Sequence, residues 1–199
     1  NVDIEVYQRI FSSGDKPLCT VSFYNTKKMV VTAHAVDLQE LAPNAYAISE
    51  SDPGKEGSLP WRLKRLDLST RRVSKRVVVT AQESYPDSWS SQELALTGLP
   101  AGVYVLRAQG GGVEARTWMA ISDRALISKR APDRVLGWLV DARTGQPVAG
   151  AWVGLYDRDG KVDAKRTERD GTVVFPAPSE GDLLWMTATG GDPAFVQPS

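Results

Sequence analysis

The chain has 199 residues, 42% hydrophobic and 24% charged, which is the make-up of one large or two small globular domains rather than of a disordered chain. Its 24 Lys plus Arg balance 24 Asp plus Glu, and a formal net charge of zero removes the simplest electrostatic case for binding nucleic acid or an anionic membrane surface. No run approaches the ~20 apolar residues of a membrane-spanning helix, so contact with a membrane is expected only through an anchor outside this chain.

The chain opens on Asn1-Val2-Asp3 with strand alternation already under way and no visible signal peptide, as expected of a mature chain or an excised fragment. Val2, Ile4 and Val6 alternate with Asp3, Glu5 and Tyr7 in a half-buried strand. Ser12 to Pro17 turns the chain. Cys19, Val21 and Phe23 share the inward face of a second strand. Cys19 is the single cysteine, so no internal disulfide forms; a buried core thiol is favoured over a reactive or partner-linked one. Met29 to Val36, β-branched and apolar, forms a third strand. Asp37 and Glu40 have the spacing of a capping box, and Pro43 follows, so a short helical turn is expected near 38–42. Glu50 to Pro60 reads as an exposed loop.

Trp61 to Leu68 and Val73 to Ala81 read as two strands around a turn at Ser69 to Arg72. Along them runs a basic cluster: Arg62, Lys64, Arg65, Arg71, Arg72, Lys75 and Arg76, opposed only by Asp67. Nucleic-acid binders cluster charge in this way. The favoured reading is that lysine and arginine blunt an exposed strand edge. After a polar loop at Glu83 to Ser91, Leu94 and Leu96 share a strand face. Leu99-Pro100-Ala101-Gly102 turns the chain into a strand at Val103 to Ala108. Gly110-Gly111-Gly112 then returns it through Glu114 to Ser122. Seven or eight short strands in about 120 residues is the cadence of an antiparallel sandwich.

Ser122 to Pro132 links to a second unit, with Ala125 to Ile127 as its possible first strand. Strands follow at Val135 to Asp141 and Val153 to Tyr156. A charged loop comes next, then a strand ending at Phe175 and another from Leu183 to Thr189. Asp157 to Gly160 superficially resembles a calcium loop, but it lacks the later acidic positions; a hairpin turn is the better reading there and at Asp170-Gly171. The expected division is 1–121 and 122–199.

No catalytic, cofactor-binding or metal-ligating set emerges. His34 is the only histidine and lies in a strand. No Gly-x-Ser-x-Gly elbow or phosphate-cradling loop is present, and one Cys with one His cannot ligate zinc alone. The chain is therefore read as non-enzymatic. The aromatic residues say more. Leu136, Trp138 and Val140 form the face opposite Val135, Gly137 and Leu139, and Trp152 and Tyr156 oppose Val153 and Leu155. A strand that meets water on one side shows only one apolar face. The candidate surface is thus Leu136, Trp138, Val140, Trp152 and Tyr156. Packing on the first domain, docking of other parts of a longer protein and stacking on sugar all remain open for it.

Gly137-x-Leu139-x-Asp141, then Thr144-Gly145-Gln146-Pro147-Val148-x-Gly150-Ala151-x-Val153, and later Asp170-Gly171-x-x-x-Phe175, resemble the β-sandwich unit of carboxypeptidase-regulatory-like and macroglobulin-like domains. Leu99-Pro100-Ala101-Gly102-Val103-Tyr104, Trp118 and Ser122 to Arg130 precede them, and Gly190 to Phe195 follow. That order resembles tandem macroglobulin-like domains of the bacterial alpha-2-macroglobulins, over most of the second unit and the last third of the first. The resemblance implies an all-β chain of two antiparallel, immunoglobulin/fibronectin-like sandwiches in tandem. It implies a scaffold role in a periplasmic or secreted protease inhibitor, with neighbouring domains and target proteases as the partners of the whole protein. The family's Cys-x-Glu-Gln thioester is not carried over, because Cys19 is followed by Thr20-Val21-Ser22. The competing expectation is a cell-surface adhesive or carbohydrate-binding module, with Trp138 or Trp152 stacking on sugar.

Overall fold

The computed structural model describes residues 1–38, 63, 65–81, 88–157, 160–177, 185–189 and 192–196. The chain divides into two compact units: Asn1–Val36 with Leu63–Ile121, and Asp37–Arg62 with Ser122–Ser199. The architecture is all-β, as expected.

The first unit contains β1 (Val2–Glu5), β2 (Ile10–Phe11), β3 (Leu18–Tyr24), β4 (Lys28–Val36), β5 (Val73–Thr80), β6 (Trp89–Ala95), β7 (Gly102–Gly110) and β8 (Val113–Ile121). They form a three-stranded sheet, β1-β3-β6, and a five-stranded sheet, β2-β8-β7-β4-β5. The core lies between them. Cys19, Val21 and Phe23 from one sheet meet Met29, Val31, Tyr104, Leu106 and Met119 from the other. The period-2 alternation of β3 is what places Cys19, Val21 and Phe23 there, all at most 1% exposed. β5 is an edge strand, and it carries Lys75 and Arg76, which fits the edge-blunting reading of the basic cluster.

The second unit contains β9 (Arg124–Arg130), β10 (Arg134–Asp141), β11 (Trp152–Asp157), β12 (Gly160–Arg166), β13 (Thr172–Pro176), β14 (Trp185–Thr189) and β15 (Ala194–Val196). The sheets are β13-β10-β9 and β12-β11-β14-β15. Leu126, Val135, Leu139, Val173 and Phe175 face Val153, Leu155, Met186 and Ala188 in the core between them.

Several expectations are corrected. Leu63 and Arg65 are helical, not part of a strand. The charged loop after Tyr156 is strand β12: it pairs with β11 from Trp152↔Arg166 to Asp157↔Gly160 and forms the sheet's edge, where charge is tolerated and useful. The strand at Leu94 begins earlier, at Trp89, and the short strands β2 and β15 were not expected. Leu38 is helical. The rest of the expected turn, 39–42, and the loop at 50–60 lie outside the described residues.

Candidate docking surface

The motifs that carry the family resemblance act as fold chemistry. In the Leu99 to Tyr104 motif, the Tyr104 hydroxyl donates to the Pro100 carbonyl at 2.7 Å, and its ring lies over Gly102, where a Cβ would sit 3.2 Å from the phenolic oxygen. This is a tyrosine corner, a tie that fixes the entry of a sandwich strand. In the second unit, the Asp141 carboxylate accepts from the Thr144 N–H (2.7 Å), the Thr144 hydroxyl (2.8 Å) and the Arg143 N–H (3.1 Å). These hydrogen bonds, those from Thr144 first, hold the Asp141 carboxyl below the ordinary carboxylate range. Gly145 and Gly150 take φ of +70° and +73° in the loop that follows. The loop returns to the sheet where Pro147 bridges to Val140.

Antiparallel pairing then decides which side chains share the outward face of the β13-β10-β9 sheet. Trp138 lies opposite Ile127 and Thr172, and Leu136 lies opposite Lys129 and Val174. Ile127 (49% exposed), Trp138 (40%) and Val174 (45%) are open to solvent, and Leu136 is half-buried among them. The indole is held in place: Trp138 Nε1 donates to the Asp170 carbonyl at 3.0 Å. Lys129 and Arg134 are the exposed cations of this face. An exposed, joined apolar row of this kind marks a contact surface.

The five residues expected from sequence do not make one surface. Val140 is outward by register yet only 6% exposed, and Tyr156 is 4% exposed. The Tyr156 ring folds over Gly154, where a Cβ would approach it to 2.7 Å. Burial raises the Tyr156 hydroxyl above its ordinary range, and the Asp37 carboxylate adds to this. Trp152, 48% exposed, belongs to the other sheet, so its outward face is on the opposite side of the sandwich from Trp138. Its ring is covered by its cross-strand neighbour Arg166, whose guanidinium lies 5.1 Å from the ring centroid. Ile127 and Val174 were missed by the sequence reading. The signal available was their place in strands flanking β10, but pairing partners cannot be read from one strand's alternation.

His34 is 2% exposed, and its Nε2 lies 3.0 Å from the Thr32 hydroxyl. Burial lowers its pKa; an interaction with the Arg71 backbone opposes this, and the charges of Arg107, Arg116 and Arg71 push the same way as burial. A shallow depression at the start of β5 is lined, among the described residues, by Ala35, Thr70, Arg71, Arg72, Val73 and Ser74. Among the described residues no group of three or more His, Cys, Asp or Glu is placed to hold a metal ion.

No protein-family model matches the chain. It is similar to an alpha-2-macroglobulin of Ralstonia nicotianae, 28% identical over 114 residues. That match covers 56% of this chain and 7% of the relative, so the chain corresponds to a small part of that protein. Among solved structures it is similar to native alpha-2-macroglobulin from Escherichia coli. A chain spanning domains MG0-NIE-MG1 gives a TM-score of 0.66 at 13% identity, over 100% of this chain and 64% of that one. A chain spanning domains NIE-MG1 gives 0.66 at 12% identity, over 99% and 97%. At such identities the structures speak for the fold, and the sequence match supplies the kinship. Together they make the chain similar, in sequence and in fold, to one segment of the longer bacterial alpha-2-macroglobulins.

Proposed function

We propose that the chain is a non-enzymatic scaffold segment of an alpha-2-macroglobulin-like protease inhibitor of the cell envelope, periplasmic or extracellular, which holds neighbouring domains in place while a protease is captured. The observation that carries this is the agreement of fold over 99% of this chain and 97% of a two-domain NIE-MG1 chain. In this reading the first unit corresponds to NIE and the second to MG1. The outward row Ile127, Leu136, Trp138 and Val174 is the surface offered to a neighbouring domain. Exposed apolar side chains on a rigid sheet suit such docking, because burying them costs little side-chain ordering.

The test uses the full-length protein that carries this segment. Captured protease loses activity on casein while keeping it on a small anilide substrate. The double substitution Ile127→Glu, Trp138→Glu is expected to leave the fold of this segment intact and to reduce capture several-fold. A wild-type protein that protects no casein sinks the inhibitor reading. Full capture by the variant sinks the docking role of this face.

A further inference from the structure

The connection between the last strand of the first unit and the first strand of the second is two residues long. β8 ends at Ile121 and β9 begins at Arg124. A short connector whose backbone groups are left to water is a ready hinge, since a few such residues absorb a large change in φ and ψ. Ser122 and Asp123 are instead tied to the second unit from three sides. Ser122 is 4% exposed, and its hydroxyl accepts from the Arg124 N–H at 3.0 Å and donates to the Arg124 carbonyl at 3.1 Å. The Asp123 carbonyl accepts from the Ala142 N–H, just past β10, at 2.7 Å. The Asp123 N–H donates to the carboxylate of Asp192, 69 residues downstream, at 3.1 and 3.3 Å from its two oxygens. Asp192 Oδ2 also lies 3.7 Å from Arg124 Nε, with both side chains about three-quarters covered.

We propose that Asp192 is a latch: it makes Ser122–Asp123 part of the second unit and denies the chain a hinge there. The Asp192 carboxylate reaches this connector from 69 residues downstream, and a charged acceptor on a backbone N–H is worth more than a neutral one. The Arg124 guanidinium orients that carboxylate. The geometry lies wholly within the second unit and needs no assumption about protease capture, so it stands or falls apart from the scaffold reading.

The experiment is backbone ¹⁵N relaxation and amide hydrogen exchange on the whole chain, comparing wild type with Asp192→Ala, Asp192→Asn and Arg124→Gln. In the wild type, Ser122 and Asp123 are expected to have the order parameters of rigid backbone, about 0.85. In Asp192→Ala they are expected to fall below about 0.6, and the Asp123 amide to exchange at least about tenfold faster, while Leu126 and Val135 keep wild-type protection. Asp192→Asn, which keeps an acceptor without charge, and Arg124→Gln are expected to fall between. Unchanged order parameters at Ser122 and Asp123 overturn the latch. So does exchange that accelerates equally at Asp123, Leu126 and Val135, since Asp192 would then support the whole unit. If Asp192→Ala does not fold, the two milder variants are read by the same criterion.

Discussion

Cys19 and His34 are buried single residues with opposite consequences for pH. Burial, with help from the Glu93 carboxylate, pushes the Cys19 thiol up to about 11, from an ordinary value of 9.0. The native state therefore keeps the thiol proton to a higher pH than the unfolded chain does. Its contribution to stability is whole below about pH 9 and is lost as the pH rises toward about 11, a difference of roughly 2–3 kcal/mol. For His34 the sign reverses. Burial favours the neutral ring, so its contribution is whole above pH 6.5 and declines as the pH falls below that. Urea denaturation followed across pH is expected to show a loss between pH 9 and 11 that Cys19→Ala flattens. It is also expected to show an acid-side loss below pH 6.5 that His34→Gln reduces. An alkaline slope identical in wild type and Cys19→Ala would mean that the thiol is not held protonated by the core.

At the scale of elements, the turn into β13 sets how β10 is flanked. Gly171 has φ of +78°, and a Cβ there would lie 2.5 Å from the Leu139 carbonyl oxygen. The Gly171 carbonyl in turn accepts from the Leu139 N–H at 2.9 Å. A side chain meets a left-handed backbone and a backbone atom that cannot move aside without breaking the sheet. Gly171→Ala is expected to destabilise the second unit by about 2–4 kcal/mol, measured by chemical denaturation, while Gly145→Ala costs about 1 kcal/mol because its surroundings are open. Equal costs at the two glycines would show that φ alone matters and the close approach does not. The same element shows what sequence could and could not reveal. Asp170-Gly171 is legible as a turn, and the alternation of Val135 to Asp141 separates the core row from the outward row. Strand β12 is not legible, because Lys161, Asp163, Lys165 and Arg166 on a sheet edge look like a charged loop. The docking row was half legible. Trp138 and Leu136 follow from one strand's period, whereas Ile127 and Val174 depend on which strands pair. The burial of Val140 and Tyr156 was not legible, because alternation gives the face a residue takes, not what covers it.

At the scale of the molecule, each unit has a sandwich core, and among the described residues these two cores have no member in common. One gathers Phe23, Met29, Tyr104, Leu106 and Met119, and the other gathers Val135, Leu139, Leu155, Phe175 and Met186. Each core closes a sandwich between two sheets, so each unit has its own source of cooperativity. Phe23 is 1% exposed and Phe175 0%, so truncating either leaves a cavity that the packed sheets only partly fill. Phe23→Ala and Phe175→Ala are each expected to cost about 3–5 kcal/mol. If cooperativity resides in the units, calorimetry shows two transitions, and each substitution lowers one while leaving the other within about 1 °C. A single transition lowered by both substitutions would instead make the chain one cooperative block. The distinction bears on the proposed role. A spacer built of two independently stable blocks can have one block strained by neighbouring domains without loss of the other.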